Sequence, residues 1–167
     1  AAQPVMEPPD LGYNICYVPA DRLLRLLPTM ACAPNLQWFV REFCANEQEA
    51  ALAAGANPWD ELEGLAASVP VGSYGVMYHP YIDPAGERSP FLCPPARAQF
   101  TGLSIGHERR VLLRAVYEGV ALSVVDCYRT LGAIHQAWPR IVLTFDDFIN
   151  TPAINGYRGL QTTVVLE

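Results

Sequence analysis

The chain has 167 residues, of which 51% are hydrophobic, and its formal net charge is −6. This composition is sufficient for the core of one domain and is not that of a disordered chain. The negative charge disfavours nucleic acid and anionic membranes as partners, because both attract clustered Lys and Arg. All eleven basic residues are Arg, which excludes the sites that need a Lys: the P-loop, the pyridoxal phosphate Schiff base and the protein kinase strand.

The cysteines and histidines predict neither a disulfide framework nor a metal site. The five cysteines are odd in number and irregular in spacing, a pattern that favours buried, reduced thiols. The three histidines show no ligand spacing. The sequence has no signal peptide and no apolar run of about 18 residues. These features predict a cytoplasmic protein.

The N-terminal segment predicts a tail followed by a β-hairpin. Residues 1–10 are rich in proline and have no period, which is typical of a tail or linker. From Leu11 to Val18, large apolar side chains alternate with smaller ones, as in a strand. Residues 19–21 favour a turn, and residues 22–27 can form the return strand.

Helices are predicted next along the chain. Pro34 suits the first turn of a helix that runs to Cys44, because proline lacks the N–H group that has no partner there. The apolar face of this helix would comprise Leu36, Phe39, Val40 and Phe43. An Ala-rich segment, 47–54, and a segment that begins at Pro58 predict two shorter helices.

The second half of the sequence predicts a strand, a loop and a long helix. The strand covers Tyr74–Ile82, and a Pro- and Gly-rich loop follows it over Asp83–Pro95. The helix covers Glu108–Leu131, ends at Gly132 and is apolar enough to be packed on most sides. Two more strands are predicted at Ile141–Phe145 and Thr162–Leu166. This order of elements indicates an α/β or α+β fold.

Three sequence blocks in this half resemble a known family. They are Tyr78–Phe91, which contains Gly-Glu-Arg-Ser-Pro; Ala96–His107, which contains Ala-Arg-Ala-Gln-Phe-Thr-Gly-Leu; and Leu113–Gly119, which contains Arg-Ala-Val-Tyr-Glu-Gly. Their order and spacing resemble the C-terminal domain of the FGGY carbohydrate kinases, the family of xylulokinase, glycerol kinase and erythritol kinase. The resemblance extends over residues 11–145 and weakly to Glu167.

The resemblance implies a fold, an activity and partners. Residues 11–167 would form all or part of an α/β half-domain of the actin-like ATPase (ribonuclease H-like) fold. The whole enzyme would use ATP and Mg²⁺ to phosphorylate a hydroxyl of a sugar or polyol. The catalytic Asp and most sugar contacts would belong to an N-terminal kinase domain that is absent from this sequence. An apolar face left by that domain would permit a homo-oligomer.

The resemblance also implies which residues of this chain contact the nucleotide. They are Ala33 and Gln37 at the first helix, and Asp146 and Asn150 in a loop near the C-terminus. Gln37 could equally face solvent. An Asp146–Asp147 pair is more typical of a solvated turn than of a Mg²⁺ site, because no other ligands cluster with it.

Two positions depart from the family pattern. Val111 stands where the family usually has a polar residue. More seriously, the family's Gly-Gly-Gly-x-x-Ser nucleotide loop is replaced by Phe145-Asp-Asp-Phe-Ile-Asn150. Glycines allow the backbone to approach a ligand closely, whereas carboxylates repel phosphates. The alternative is therefore a non-catalytic relic or regulatory module that has lost nucleotide binding.

The sequence leaves the roles of several polar residues open. Glu87 and Arg88 could contact the cleft or the partner domain, but an ion pair within the loop is favoured. His79 and His107 are predicted to be structural.

Overall fold

The computed structural model describes residues 11–17 and 22–134. The chain divides into two compact units at Gly132, and nearly all the described residues belong to the first. The elements are β1 (Tyr13–Tyr17), β2 (Arg22–Leu26), α1 (Ala33–Phe43), α2 (Ala45–Ala53), α3 (Pro58–Ala67), β3 (Met77–His79), β4 (Gln99–Thr101) and α4 (Arg109–Ile134). The strands predicted at 141–145 and 162–166 lie outside the described residues.

The predicted N-terminal hairpin is confirmed. Strands β1 and β2 pair antiparallel, with Tyr13 opposite Leu26 and Tyr17 opposite Arg22. Tyr13 and Ile15 are exposed on this hairpin. The hairpin leads directly into the segment that opens α1.

The three predicted N-terminal helices are also confirmed. Proline lies in the first turn of both α1 and α3, and the Asn57 side chain caps α3 by accepting the N–H of Trp59. Phe39 and Val40 of α1 are buried as expected. Phe43 is 44% exposed, contrary to the prediction that it belongs to the buried face. Its ring nevertheless contacts Trp38 and Phe39, with centroids 5.6 and 4.9 Å away.

The predicted strand at Tyr74–Ile82 is much shorter in the structure. Ser73 and Tyr74 have φ angles of 46° and 50°, and this left-handed backbone cannot continue a strand. Only Met77–His79 form β3, which pairs antiparallel with β4 so that Tyr78 faces Phe100. Strand β4 was not predicted.

The hydrophobic core lies where α4 packs against β3, α1 and α3. Its buried members include Phe39, Val40, Leu62, Val69, Tyr78, Leu113, Ala115 and Val116. Val111, where the family usually has a polar residue, is 4% exposed and belongs to the same core. Helix α4 continues past the predicted end at Gly132. Its Leu122 is 64% exposed, so the expectation that α4 is packed on most sides is wrong for this face.

Two further features concern the cysteines and the lengths of the described helices. All five cysteines lie in the described residues and are unpaired; Cys44 and Cys127 are buried, whereas Cys16 is exposed, unlike the predicted buried thiols. Among the helices of the described ranges, none is long and apolar enough to cross a membrane.

Candidate functional site

The start of α1 carries the two described residues that the sequence assigns to nucleotide binding. Ala33 and Gln37 lie one turn apart on the same face of the helix, and both are partly exposed. Cys32 precedes the helix without capping it through its side chain, and the first turn contains no acidic residue. A helix start with these properties favours a nearby negative group, because its first N–H groups lack intrahelical partners.

Asn35 fixes this helix start to the end of β3. Its side chain is fully buried, and Nδ2 donates to the carbonyl oxygens of Ala31 at 3.1 Å, Cys32 at 3.3 Å and Pro80 at 3.0 Å. Its Oδ1 accepts the Tyr78 hydroxyl at 2.8 Å. Asn35 was not among the site residues predicted from the sequence. The available signal was an amide four positions before buried Phe39, on the buried face of a helix.

Glu87 makes a second link to the same helix start. Its carboxylate is buried, and Oε1 accepts the backbone N–H groups of Met30 at 3.0 Å, Arg88 at 2.8 Å and Ser89 at 3.2 Å. The predicted ion pair between Glu87 and Arg88 is wrong. Arg88 is exposed, and the ion pairs among the described residues do not include it.

The predicted 83–95 loop is confirmed as a compact turn around Glu87. Glu87 and Cys93 exchange backbone hydrogen bonds of 3.1 and 2.8 Å. Gly86 has φ +83°, and a Cβ there would lie 2.3 Å from the Cys93 carbonyl oxygen. A side chain at residue 86 would therefore meet backbone atoms and would also be strained. The loop thereby holds the Glu87 carboxylate within hydrogen-bonding distance of Met30, just before α1.

Glu118 of the third sequence block holds the left-handed turn before β3. Its carboxylate accepts hydrogen bonds from Arg114 Nε at 2.7 Å, the Gly72 N–H at 3.0 Å and the Ser73 hydroxyl at 2.9 Å. Burial alone would raise the pKa of Glu118, but these hydrogen bonds outweigh it and lower the pKa below its ordinary 4.5. The carboxylate thus stabilises the folded state only while it is ionised.

We expect Glu118→Gln to reduce the sensitivity of the fold to acid. Because the pKa of Glu118 is lowered on folding, its contribution is complete above its unfolded pKa and is lost as the pH falls through the folded value. The free energy of unfolding, measured by urea titration at pH values from about 6 to 3, should fall less steeply in Glu118→Gln than in the unaltered chain. Glu49→Gln, which removes an exposed carboxylate, is the matched control. Parallel curves for all three proteins would contradict the assignment.

The other predicted site residues are accounted for as follows. The His107 ring nitrogen Nδ1 accepts the Ser104 N–H at 3.0 Å, which is a structural use. Asp146 and Asn150 lie outside the described residues. Within those ranges, no group of three or more His, Cys, Asp or Glu residues could hold a metal ion.

A cavity of about 170 Å³ lies beside the start of α4, away from Ala33 and Gln37. It is lined by Cys44, Leu65, Glu108, Arg109, Arg110 and Leu113. Both arginines already pair with carboxylates, Arg109 with Glu47 and Arg110 with Glu108. The cavity therefore offers an incoming anion little uncompensated positive charge.

The sequence blocks and their arrangement have counterparts in known proteins. A family model for the C-terminal domain of the FGGY family of carbohydrate kinases matches residues 24–144. The chain therefore belongs to the FGGY family, as the sequence blocks indicated.

Two individual relatives are a gluconokinase and an erythritol kinase. Gluconokinase from Bacillus subtilis is 38% identical over 96 residues, which are 58% of this chain and 18% of that enzyme. Erythritol kinase from Brucella abortus is 47% identical over 57 residues, 34% of this chain and 11% of that enzyme. The chain thus spans about a fifth or less of the length of these relatives.

Solved structures confirm the predicted fold class, a part of the actin-like ATPase fold. A ligand-bound xylulose kinase from Lactobacillus acidophilus is 29% identical with a TM-score of 0.57, covering 78% of this chain and 24% of the kinase. A gluconate kinase from the same organism is 28% identical with a TM-score of 0.56, covering 78% of this chain and 24% of that structure.

Proposed function

We propose that this chain is the nucleotide-side part of a kinase that transfers the γ-phosphoryl group of ATP to a hydroxyl of a sugar or polyol. The observation that carries the proposal is the family match over residues 24–144, which contains all three sequence blocks. The named activities of the relatives, on gluconate, xylulose and erythritol, support this substrate class.

We assign nucleotide contacts to Ala33, Gln37, Asp146 and Asn150. The described pair fits such a ligand: Ala33 is small and partly exposed beside an uncapped helix start, and the Gln37 amide can both donate and accept hydrogen bonds. When bound, ATP supplies the phosphoryl group, and Mg²⁺ offsets the charge of its phosphates. Residues 11–17 and 22–134 contain no acidic cluster that could hold a metal ion, so none of them is proposed as a Mg²⁺ ligand.

We assign the catalytic Asp and most sugar contacts to an N-terminal kinase domain, the proposed partner of this chain. Closure of the two domains over ATP would exclude water from the transfer. The unpaired cysteines favour a reducing compartment, so we place the enzyme in the cytoplasm.

The purified 167-residue chain is expected to show no sugar-dependent ADP release. The reason is that the proposed base and sugar contacts belong to another part of the kinase, and phosphoryl transfer depends on positioning both reactants. A coupled ADP assay with gluconate, xylulose and erythritol tests this, with Bacillus subtilis gluconokinase as the positive control. ADP release above the rate measured without sugar would contradict the assignment of the catalytic Asp and the sugar contacts to another domain.

A second candidate function is a non-catalytic or regulatory FGGY module that has lost nucleotide binding. One observation favours it: residues 145–150 read Phe-Asp-Asp-Phe-Ile-Asn, with two carboxylates and no glycine. Both candidates predict an absence of turnover by this chain. Binding of Mg·ATP distinguishes them, since only the kinase part retains it.

A further inference from the structure

We propose that Glu87 is a positioning residue, which fixes the start of α1 and thereby the face that carries Ala33 and Gln37. This inference rests on the proposed function for its nucleotide, but its structural basis is independent of it. Glu87 belongs to the first sequence block and lies 57 positions along the chain from Met30, whose N–H it accepts.

The environment of Glu87 shows that its carboxylate serves the backbone. The residue is only 2% exposed, and the ion pairs among residues 11–17 and 22–134 do not include it. A buried carboxylate without a cation is costly unless hydrogen bonds satisfy it. Here three N–H groups converge on Oε1, from Met30, Arg88 and Ser89. Arg88 and Ser89 belong to the same loop as Glu87, whereas Met30 belongs to the segment that leads into α1.

Met30 lies three residues before Ala33, so the contact acts where the chain enters the helix. No side chain caps α1, and two long-range side-chain links bear on its approach: Met30 to Glu87, and Asn35 to Pro80 and Tyr78. The Asn35 link holds the first turn from inside the core. The Glu87 link holds the residues just ahead of that turn. Without Glu87 the helix would remain, but its entry would be free to shift.

Glu87 and its neighbour Arg88 have different roles in this contact. Arg88 contributes its backbone N–H to the carboxylate, and its side chain is exposed. Arg88→Ala keeps that N–H group and is therefore a matched control. Glu87→Gln keeps an acceptor oxygen on a side chain of the same length but removes the charge, whereas Glu87→Ala removes the acceptor.

Amide hydrogen exchange on the 167-residue chain tests the structural step. In Glu87→Ala, the Met30 amide should exchange at least about tenfold faster, the consequence of losing a hydrogen bond to a charged group. Amides of α3 should keep their protection, and Glu87→Gln and Arg88→Ala should stay near the unaltered chain. Unchanged exchange at Met30 in Glu87→Ala would overturn the proposal. If that variant fails to fold, Glu87→Asp decides, because its shorter side chain draws the carboxylate away from the Met30 N–H: faster exchange at Met30 than in Arg88→Ala supports the role, and equal exchange refutes it.

Calorimetric titration with Mg·ATP tests the functional step. Glu87→Ala should weaken Mg·ATP binding by about tenfold, whereas Glu87→Gln should bind Mg·ATP nearly as tightly as the unaltered chain. Equal affinities in all variants would refute a positioning role. An unaltered chain that binds no Mg·ATP would overturn the proposed function and the nucleotide role of Glu87, while the exchange experiment would still decide whether Glu87 fixes the start of α1.

Discussion

Gly119→Ala is expected to lower the free energy of unfolding by about 1–3 kcal/mol, as overpacking of a closed contact does. Gly119 lies where α4 crosses β3, and an added Cβ would be 2.3 Å from the Tyr78 carbonyl oxygen and 3.2 Å from the Tyr78 Cβ. The contacted atoms are backbone or close to it, so no side-chain rotation relieves the clash. Helix α4 would have to move away from β3, which opens the core that both elements share.

The control for Gly119→Ala is Gly64→Ala in α3. A Cβ at residue 64 would meet nothing within 4 Å. There the substitution should raise the free energy of unfolding by about 0.5–1 kcal/mol, because alanine is the better helix former. Urea titrations of both variants provide the measurement. A stabilised Gly119→Ala would mean that α4 does not cross β3 as closely as described.

Asn35→Ala is expected to cost about 3 kcal/mol, because it leaves buried groups without partners. The two Nδ2 hydrogens of Asn35 are shared among three carbonyl oxygens, its Oδ1 accepts the Tyr78 hydroxyl, and no solvent reaches the side chain to replace it. The loss should appear as a lower urea midpoint with little change in slope. A cost below about 1 kcal/mol would show that the network is not a main link between α1 and β3.

Two tyrosines provide a matched pair for this network. Tyr78→Phe removes the hydroxyl that donates to Asn35 and should cost about 1 kcal/mol. The Tyr117 hydroxyl is also buried but has no hydrogen-bonding partner in the described part of the chain. Tyr117→Phe should therefore be neutral or stabilising. Equal effects of the two substitutions would contradict the assigned role of the Asn35 network.

The elements that could be predicted from the sequence are those with local causes. Alternation predicted the hairpin, proline placement with apolar periodicity predicted α1, and a proline with acidic residues in the first turn predicted α3. Strand β4 was missed because three residues carry too little pattern, and its pairing with β3 is set by the tertiary fold. The strand predicted at Tyr74–Ile82 was too long because its aromatic and β-branched residues gave no sign of the left-handed turn at Ser73 and Tyr74.

The candidate site was predictable to a smaller extent. Ala33 and Gln37 came from family resemblance, and their nucleotide contacts remain a prediction. Adjacent Glu87 and Arg88 suggested an ion pair, yet the fold surrounds the carboxylate with backbone N–H groups, one of them from Met30. Such a contact depends on where a distant segment packs, which local pattern cannot specify.

The central claim is that the face of α1 carrying Gln37 contacts a nucleotide, and calorimetric titration of Mg·ATP into the 167-residue chain tests it most directly. Gln48 of α2 is also partly exposed, so Gln48→Ala is the matched control for Gln37→Ala. We expect saturable binding that Gln37→Ala weakens by about tenfold, the loss of one or two hydrogen bonds, and that Gln48→Ala leaves unchanged. Saturable binding that responds equally to both substitutions, or no binding at millimolar nucleotide, would contradict it.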